Sequence, residues 1–580
     1  MGASRGPMHT LRRAARTTPC ACAAGVMVAA ALGLASGCAR RAADARSLRL
    51  AAGHPVVAVA RTPVADLQPW VLEIGAPGQL SFYSMKLDAS GAVWIAGTAS
   101  SRAAPATAPV FEYGTTGAQD YFVARVSPQG RLMWLAFVGG SGEELPGPSL
   151  QVDGDCFATA AGSTQSPDFP VTPGAYRSHH AGGTDAVVFR LGPDGRRLEY
   201  ATYLGGSGKD NSPTTALGSD GSVTLAGSTE SSDFPVTLPV KPGHANTQAD
   251  VYACRLDRQG HVVYSCILSG DTDDGDRADG LVIGPDGSAY IVGHTWSTDF
   301  PAARFGGRLG GFCDGFIVKL DGAGRLVGGR FLGGENCDMA CRVAVDAVGS
   351  PVVVGGTLSL DLPVTPGAFQ PRFGGGGNRK VDGMHLGDVF VCRFTPDLST
   401  AEYVTYLGGP KTEDGMALSD LYVTPEGRSI IVLLLPSLPL ADASAPATPS
   451  DPFDGLRTLI AVFDKDGRAE GAMLRPTMFG VRLVLGHASE AGAVSLLQLP
   501  GATVRGRPLR STSGRAMPRV ALEVRDLVDP SGSQPPPAMG AITPVSRQFA
   551  LLATSSPPPG AAPPGVGPRL RVALCRVAGP

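Results

Sequence analysis

The densest group of candidate ligands in this sequence is Asp271, Asp273, Asp274 and Asp276, with Gly275 among them. Closely spaced carboxylates in a glycine-containing loop suit Ca²⁺, a hard cation that prefers an all-oxygen shell. Two features count against it. Gly275 stands where a further oxygen ligand is needed, and no Glu closes the loop downstream. Acids also recur at the equivalent place in other segments, as Asp210 and as Glu413-Asp414. That recurrence favours a turn role. Calcium is therefore the one cofactor the sequence could hold, and otherwise none is expected.

Sulfur and imidazole offer less. Eleven Cys are present. Cys20, Cys22 and Cys38 lie near the N-terminus, and no paired CxxC or Cys/His spacing marks a metal site. Cys254, Cys392 and Cys575 occupy equivalent positions in alternating runs and read as small buried hydrophobes. Cys254 and Cys266 fall on neighbouring strands of one predicted hairpin, and Cys313, Cys337 and Cys341 fall in one segment. These five are the candidates for disulfide bonding. His179-His180 reads as a loop pair and His294 as a strand residue, neither with a third ligand at useful spacing. H-E-x-x-H and the P-loop are absent, and no G-x-S-x-G lies beyond the N-terminal segment.

The elements that must carry these residues repeat. From Asp120 the chain is written in units with a step of roughly 65 residues, and self-similarity at such a period outranks any local motif. Units open at Asp120, Asp185, Asp250, Asp314 and Asp388 with an alternating run such as Asp250-Val-Tyr-Ala-Cys-Arg255. Period-two alternation rich in β-branched and aromatic residues predicts a strand. A second strand ends in a Gly pair, as at Gly139-Gly140, Gly205-Gly206, Gly333-Gly334 and Gly408-Gly409. A third ends in a turn such as Asp220-Gly221 or Asp286-Gly287. A fourth carries Gly-x-Thr, as in Gly162/Thr164, Gly227/Thr229, Gly293/Thr295 and Gly355/Thr357, and leaves through Asp-Phe/Leu-Pro at 168–170, 233–235, 299–301 and 361–363. The opening Asp residues and those of Asp-Phe-Pro could mimic a ligand ring. They read more simply as acceptors for turn amides or for the next sheet.

Four strands joined by short turns make a small antiparallel sheet that cannot bury both faces alone. Stacking copies radially does, and this predicts an all-β fold, a single β-propeller of four-stranded antiparallel blades. Separate sandwich domains would need longer units. The motifs Tyr-Leu-Gly-Gly-Ser-Gly (203–208), Gly-x-Thr and Asp-Phe-Pro-Val-Thr-Pro-Gly-Ala-Tyr (168–176) resemble the SBBP family, the bacterial seven-bladed β-propeller repeat. The resemblance spans 120–425 and fades in degenerate repeats at 426–580. It implies fold and an exported or surface address, and it carries no catalytic residue. Fourth-strand segments near 95, 160, 225, 291, 353, 432, 496 and 551 favour eight blades, with seven as the alternative. The chain opens at Trp70 without a first strand and ends with one at 569–578. The C-terminal strand is thus expected to close the ring by pairing with the blade formed by 70–100.

The N-terminus gives the address. Arg12, Arg13 and Arg16 precede an apolar run, Ala23 to Leu34, too short to span a bilayer. Ala35-Ser-Gly-Cys38 then resembles the lipobox of bacterial lipoproteins, which implies lipidation of Cys38 after cleavage. Residues 1–38 read as signal peptide, 39–69 as a flexible tether and 70–580 as the propeller. Removing 1–38 takes away four Arg and no acid, shifting a net charge of −2 to −6. Nucleic acid is a poor partner for such a chain. The expectation is a non-enzymatic monomer in the bacterial cell envelope, facing the periplasm or the surface. Its only membrane contact would be the lipid anchor, and it would present a binding or scaffold surface to an envelope protein or polysaccharide. The alternatives are an enzyme or carbohydrate-binding propeller using the channel or loop rim, and a structural surface-layer component.

Overall fold

The computed structural model describes residues 70–75, 80–88, 90–102, 108–238, 249–270, 275–374, 387–408, 417–435 and 457–476, and strands at 484–488, 494–498, 507–508, 522–528, 540–544, 549–555 and 569–577. The expected signal peptide, Cys38 and the tether lie outside these residues, as do Asp271, Asp273 and Asp274. Among the described residues there is no α-helix.

Strand β1 (Trp70–Gly75) stands apart from its successors. β2 (Leu80–Leu87), β3 (Val93–Ala99), β4 (Val110–Tyr113), β5 (Asp120–Val126) and β6 (Leu132–Val138) form a sheet in the order β2-β3-β5-β6-β4, with β4 parallel to β6. Four antiparallel sheets follow, each in chain order. They are β7 (Ser149–Val152), β8 (Ala158–Thr164), β9 (Asp185–Leu191) and β10 (Leu198–Leu204); then β11 (Asp210–Leu217), β12 (Val223–Thr229), β13 (Asp250–Leu256) and β14 (Val262–Leu268). Next come β15 (Arg277–Ile283), β16 (Ala289–Thr295), β17 (Asp314–Leu320) and β18 (Leu326–Leu332); then β19 (Asp338–Val345), β20 (Pro351–Thr357), β21 (Asp388–Phe394) and β22 (Ala401–Leu407). A sixth sheet holds β23 (Ala417–Val423), β24 (Ser429–Leu435), β25 (Arg457–Phe463) and β26 (Ala469–Pro476).

 The last group opens with β27 (Val484–Ala488) and β28 (Val494–Gln498), while the short β29 (Arg507–Pro508) returns to the edge of β26. β30 (Leu522–Val528), β31 (Gly540–Pro544), β32 (Phe549–Ser555) and β33 (Arg569–Val577) complete the chain.

Each sheet takes strands three and four of one sequence unit and strands one and two of the next. The expected blade, one unit to one sheet, is corrected accordingly. The reason is which loop reverses the chain within a sheet. The Asp-Phe-Pro loop does, joining β8 to β9 and β12 to β13, which pair with each other. The Gly-Gly loop instead carries the chain to the next sheet. Cores lie between successive sheets: Trp94, Tyr121 and Trp134 pack with Leu150, Val187 and Phe189 across the first such seam. With neighbours on both faces, every residue of β3, β8, β16 and β20 is buried.

The Gly of Gly-x-Thr is needed for a reason within its own sheet. A Cβ at Gly355 would lie 2.0 Å from the Met339 carbonyl oxygen of the adjacent strand and 2.5 Å from the Phe390 ring, and one at Gly227 would lie 2.6 Å from the Asn211 carbonyl oxygen and the Tyr252 hydroxyl. The Asp-Phe-Pro-Val-Thr motif also has a structural use. Its Thr runs along the outer strand: the Ala201, Ser265 and Val404 amides donate to Thr172, Thr237 and Thr365 Oγ1 at 3.0, 2.8 and 3.1 Å. Exposed ladder groups invite edge-to-edge association, and these contacts cover them. β4 and β29 cover the outer strands β6 and β26 in the same way.

The first and last described strands meet. β1 pairs antiparallel with β33, from Trp70↔Leu574 to Gly75↔Arg569, and β33 pairs on its other side with β32. The C-terminal strand therefore joins residues 70–75. Residues 80–99, expected in the same sheet, instead start the following one, and β2 packs against β31, β32 and β33. The last group is continuous as β27-β28-β30-β33-β32-β31, but β30 meets β33 only through Leu527↔Val577 and Val528↔Arg576.

Candidate functional site

Two layers of charged side chains recur through the sheets. The first lies at the loop end, where strand one begins and strand three of the next sheet begins. There the acids Asp120, Asp185, Asp250 and Asp314 meet Glu144, Asp210, Asp276 and Asp338, and all eight are buried. Backbone hydrogen bonds across the seam set this pairing. The amides of Glu144, Asp210, Asp276 and Asp338 donate to the carbonyls of Gln119, Thr184, Ala249 and Cys313 at 2.9, 2.6, 2.6 and 2.8 Å. Each accepting carbonyl belongs to the residue just before the partner acid.

The first Gly of each Gly-Gly pair makes room for the carboxyls. A Cβ at Gly139 would lie 2.0 Å from Asp120 Oδ1 and 2.5 Å from Glu144 Oε2, and one at Gly333 would lie 2.6 Å from Asp338 Oδ2 and 2.7 Å from Asp314 Oδ1. Strand four supplies donors. Thr164 and Ser166 hydroxyls donate to Glu144 Oε1 at 2.8 and 2.7 Å, and the Ser231 and Ser359 hydroxyls donate to Asp210 and Asp338 at 2.9 and 2.7 Å.

Burial governs the protonation of these acids. It pushes Glu144 up to about 7, against the hydrogen bonds from Ser166 and Thr164 and with the added charge of Asp120. It pushes Asp250 to about 8 and Asp314 to about 7, each helped by the acid across its seam. Asp276 rises to about 6, and Asp185, Asp210 and Asp338 also rise, again through burial first.

The Asp residues of Asp-Phe-Pro behave differently. Asp168 accepts from the Ser141 amide and hydroxyl at 2.6 and 2.8 Å, and Asp233 accepts from those of Ser207 at 2.6 and 2.9 Å. The Ser141 and Ser207 amides hold both carboxyls below the usual range. They cap turns, as the sequence reading expects.

The second layer lies at the hairpin-turn end, and the sequence reading did not single it out. The cation that ends strand one pairs with the Asp of a neighbouring turn: Arg125–Asp88 at 2.6 Å, Arg255–Asp220 at 2.8 Å, Lys319–Asp286 at 2.9 Å, Arg393–Asp346 at 2.5 Å, and Arg190–Asp153 likewise. The available signal was a basic residue at a fixed offset from each opening Asp.

The remaining candidates disperse. Asp276 belongs to its seam with Asp250, not to an open loop. Cys313 and Cys337 are disulfide-bonded and occupy the positions just before Asp314 and Asp338, so the bridge spans that seam. Cys254 and Cys266 are free and buried, which corrects the expectation for them, and Cys341 lies buried inside β19. Cys254 lies opposite Ser265 and Cys266 opposite Ala253, so the two thiols point to opposite faces of their sheet. His179 is exposed, His180 packs edge-on to Tyr203, and buried His294 contacts Asp279 at 2.7 Å through Nδ1. Among the described residues no group of three or more His, Cys, Asp or Glu is placed to hold a metal ion.

This is an all-β chain built from repeated, mostly four-stranded antiparallel sheets. No family model and no curated protein matches it. Solved structures match it only distantly. A protein of unknown function from Dyadobacter fermentans is 12% identical over 74% of this chain and 94% of its own, with a TM-score of 0.30. An ulvan lyase of polysaccharide lyase family PL25 is 10% identical over 71% of this chain and 89% of its own, with a TM-score of 0.35. A europium-containing methanol dehydrogenase is 8% identical over 87% and 92%, with a TM-score of 0.34. At these values they add nothing to the strand pairing that defines the architecture.

Proposed function

We propose that the chain is a closed β-propeller of eight blades, lipid-anchored through Cys38 in the bacterial cell envelope, whose rim serves as a non-catalytic binding or scaffold surface. The first strands of successive sheets support the ring. β2 packs on β7, β7 on β11, β11 on β15, β15 on β19 and β19 on β23; β27 packs on β31 and β31 on β2. Cutting the last group at its two-pair link leaves β27-β28-β30 and β31-β32-β33-β1 as separate blades. Treating them as one gives seven. Pairing of β1 with β33 is then the ring's closure.

The observation that carries the functional reading is where the repeated polar groups go. The buried acids, the strand-four hydroxyls and the strand-one cations are all spent on joining turns and sheets, leaving the loop rim to meet a partner. The lipobox-like Ala35-Ser-Gly-Cys38 supports the address. A multiply acylated Cys is a stable anchor, since each buried methylene contributes roughly 0.8 kcal/mol.

Envelope fractionation of Cys38→Ala tests the anchor, and a pull-down from native envelope with the wild-type protein as bait tests the partner. The mutant should appear in the soluble periplasmic or extracellular fraction, and the bait should enrich an envelope protein or polysaccharide. A mutant that stays with carbonate-washed membranes contradicts the anchor. Turnover of a polysaccharide by the purified protein contradicts the non-catalytic reading.

A further inference from the structure

The seam between the first two sheets contains an oxygen that lacks a donor. Glu144 is fully buried, and its Oε1 accepts twice, from Thr164 and Ser166. Its Oε2 is buried with no hydrogen-bond partner. That oxygen and Asp120 Oδ1 converge on the space above Gly139. On its other side Asp120 is paired with Arg102, whose Nε donates to Oδ2 at 2.7 Å. The second seam repeats the arrangement: Asp185 Oδ1 is buried without a partner and faces Asp210 beneath Gly205.

Two ionised carboxylates here would place like charges together out of water. Leaving Glu144 Oε2 bare would add the cost of an unsatisfied buried acceptor. One proton removes both problems, because an O–H on Glu144 Oε2 donates to Asp120. A divalent cation fits less well, since it needs a shell of oxygens, and those of Glu144 Oε1 and Asp120 Oδ2 are already taken by hydroxyl and guanidinium donors. The seam geometry is the same whether or not the sheets close into a ring.

We propose that the Glu144/Asp120 seam, and by repetition those of Asp185/Asp210, Asp250/Asp276 and Asp314/Asp338, each hold one shared proton that locks neighbouring sheets together and is released as the pH rises. The proton comes from solvent and returns to it; no other bond changes. The charged or titratable groups around Glu144 are Asp120, Arg102 with Glu112 behind it, Asp168, and the Tyr121 and Tyr203 hydroxyls. Arg102 is the cation among these and is engaged by Asp120.

The sign follows from linkage. A carboxyl whose folded pKa is raised binds more protons folded than unfolded, so its contribution is complete below the ordinary carboxyl value of 4.5 and is lost as pH rises through about 7.

Glu144→Gln tests this, because its amide NH₂ can donate to Asp120 permanently while its Oε1 keeps both hydroxyl donors. Thermal melts of wild type and E144Q should coincide at about pH 4, diverge as the pH rises from about 4.5 to about 7 and keep a constant gap above that, with E144Q melting higher. Parallel pH profiles for the two proteins would overturn the proposal. So would a rise in wild-type Tm on adding CaCl₂ at alkaline pH that E144Q does not show, which would make the seam a cation site. Should E144Q not fold, infrared spectra of the wild type decide. A carboxylic-acid C=O band present at about pH 5 should bleach by about pH 9 while the far-UV circular dichroism stays native. A folded wild type without that band overturns the proposal.

Discussion

Deleting residues 569–580 should give a protein that melts far below the full chain and aggregates. The segment is short, but β33 sits between two partners, paired over Trp70–Gly75 with β1 and over Phe549–Ser555 with β32. Each ladder hydrogen bond contributes a net ~0.5–1.5 kcal/mol. Losing both ladders therefore costs an amount comparable with the whole ~5–15 kcal/mol stability of a typical domain. The truncation also exposes β1 and β32 as open edges, which recruit other chains. Calorimetry and light scattering on the truncated protein check this. A truncated chain that melts and stays monomeric like the full one contradicts the role given to β33.

Arg190→Ala should be the most damaging point change in the hairpin-turn layer. Arg190 is buried, contacts Asp153 and donates to Thr159 Oγ1 at 3.1 Å, and its guanidinium lies 4.7 Å from the Phe157 ring centroid. Asp153 is buried too, and the Asp155 and Phe157 amides donate to it at 2.9 and 3.0 Å. Its other cation is the part-exposed Arg258 at 3.4 Å. Removing one partner of a buried pair strands the other charge at a cost of about 3–5 kcal/mol, whereas replacing both with neutral groups of similar volume costs far less. Arg190→Met with Asp153→Asn should therefore recover most of the loss, because Asn keeps the turn acceptor. Urea unfolding of the single and double variants measures the difference. A single variant within about 1 kcal/mol of wild type would show the pair to be solvent-screened.

Much of the local structure was legible. Asp120, Asp185, Asp250, Asp314 and Asp388 each start a strand, and Gly-x-Thr ends one. Alternation and turn residues act over a few positions, so they read directly from sequence. Sheet boundaries were not legible in the same way. The Asp-Phe-Pro and Gly-Gly loops both reverse the chain, and which of them stays within a sheet depends on pairing between distant segments. The acids were visible as repeats but not as pairs, because Asp120 meets Glu144 only across a seam. The cysteine cluster shows the same limit. Cys313, Cys337 and Cys341 fall together in the sequence, yet it is the seam that brings Cys313 beside Cys337 and leaves Cys341 inside β19. The Arg and Lys partners of the turn acids were missed because each cation lies one hairpin away from its Asp.

The central claim is that β1 and β33, the first and last described strands, are neighbours in one sheet. It is tested most directly by introducing Leu72→Cys and Val572→Cys, which lie opposite each other in the β1–β33 ladder. Cys156, Cys254, Cys266, Cys341 and Cys392 are buried and do not compete, and Cys575, close to position 572 in β33, is replaced by Ser in the same background. Directly opposed strand positions fall within the Cα separation a disulfide requires. Under mild oxidation the monomer should form an intramolecular bond, seen by mass spectrometry as the peptide containing position 72 linked to the peptide containing position 572. A folded monomer in which those peptides stay unlinked, or link only between molecules, would contradict it.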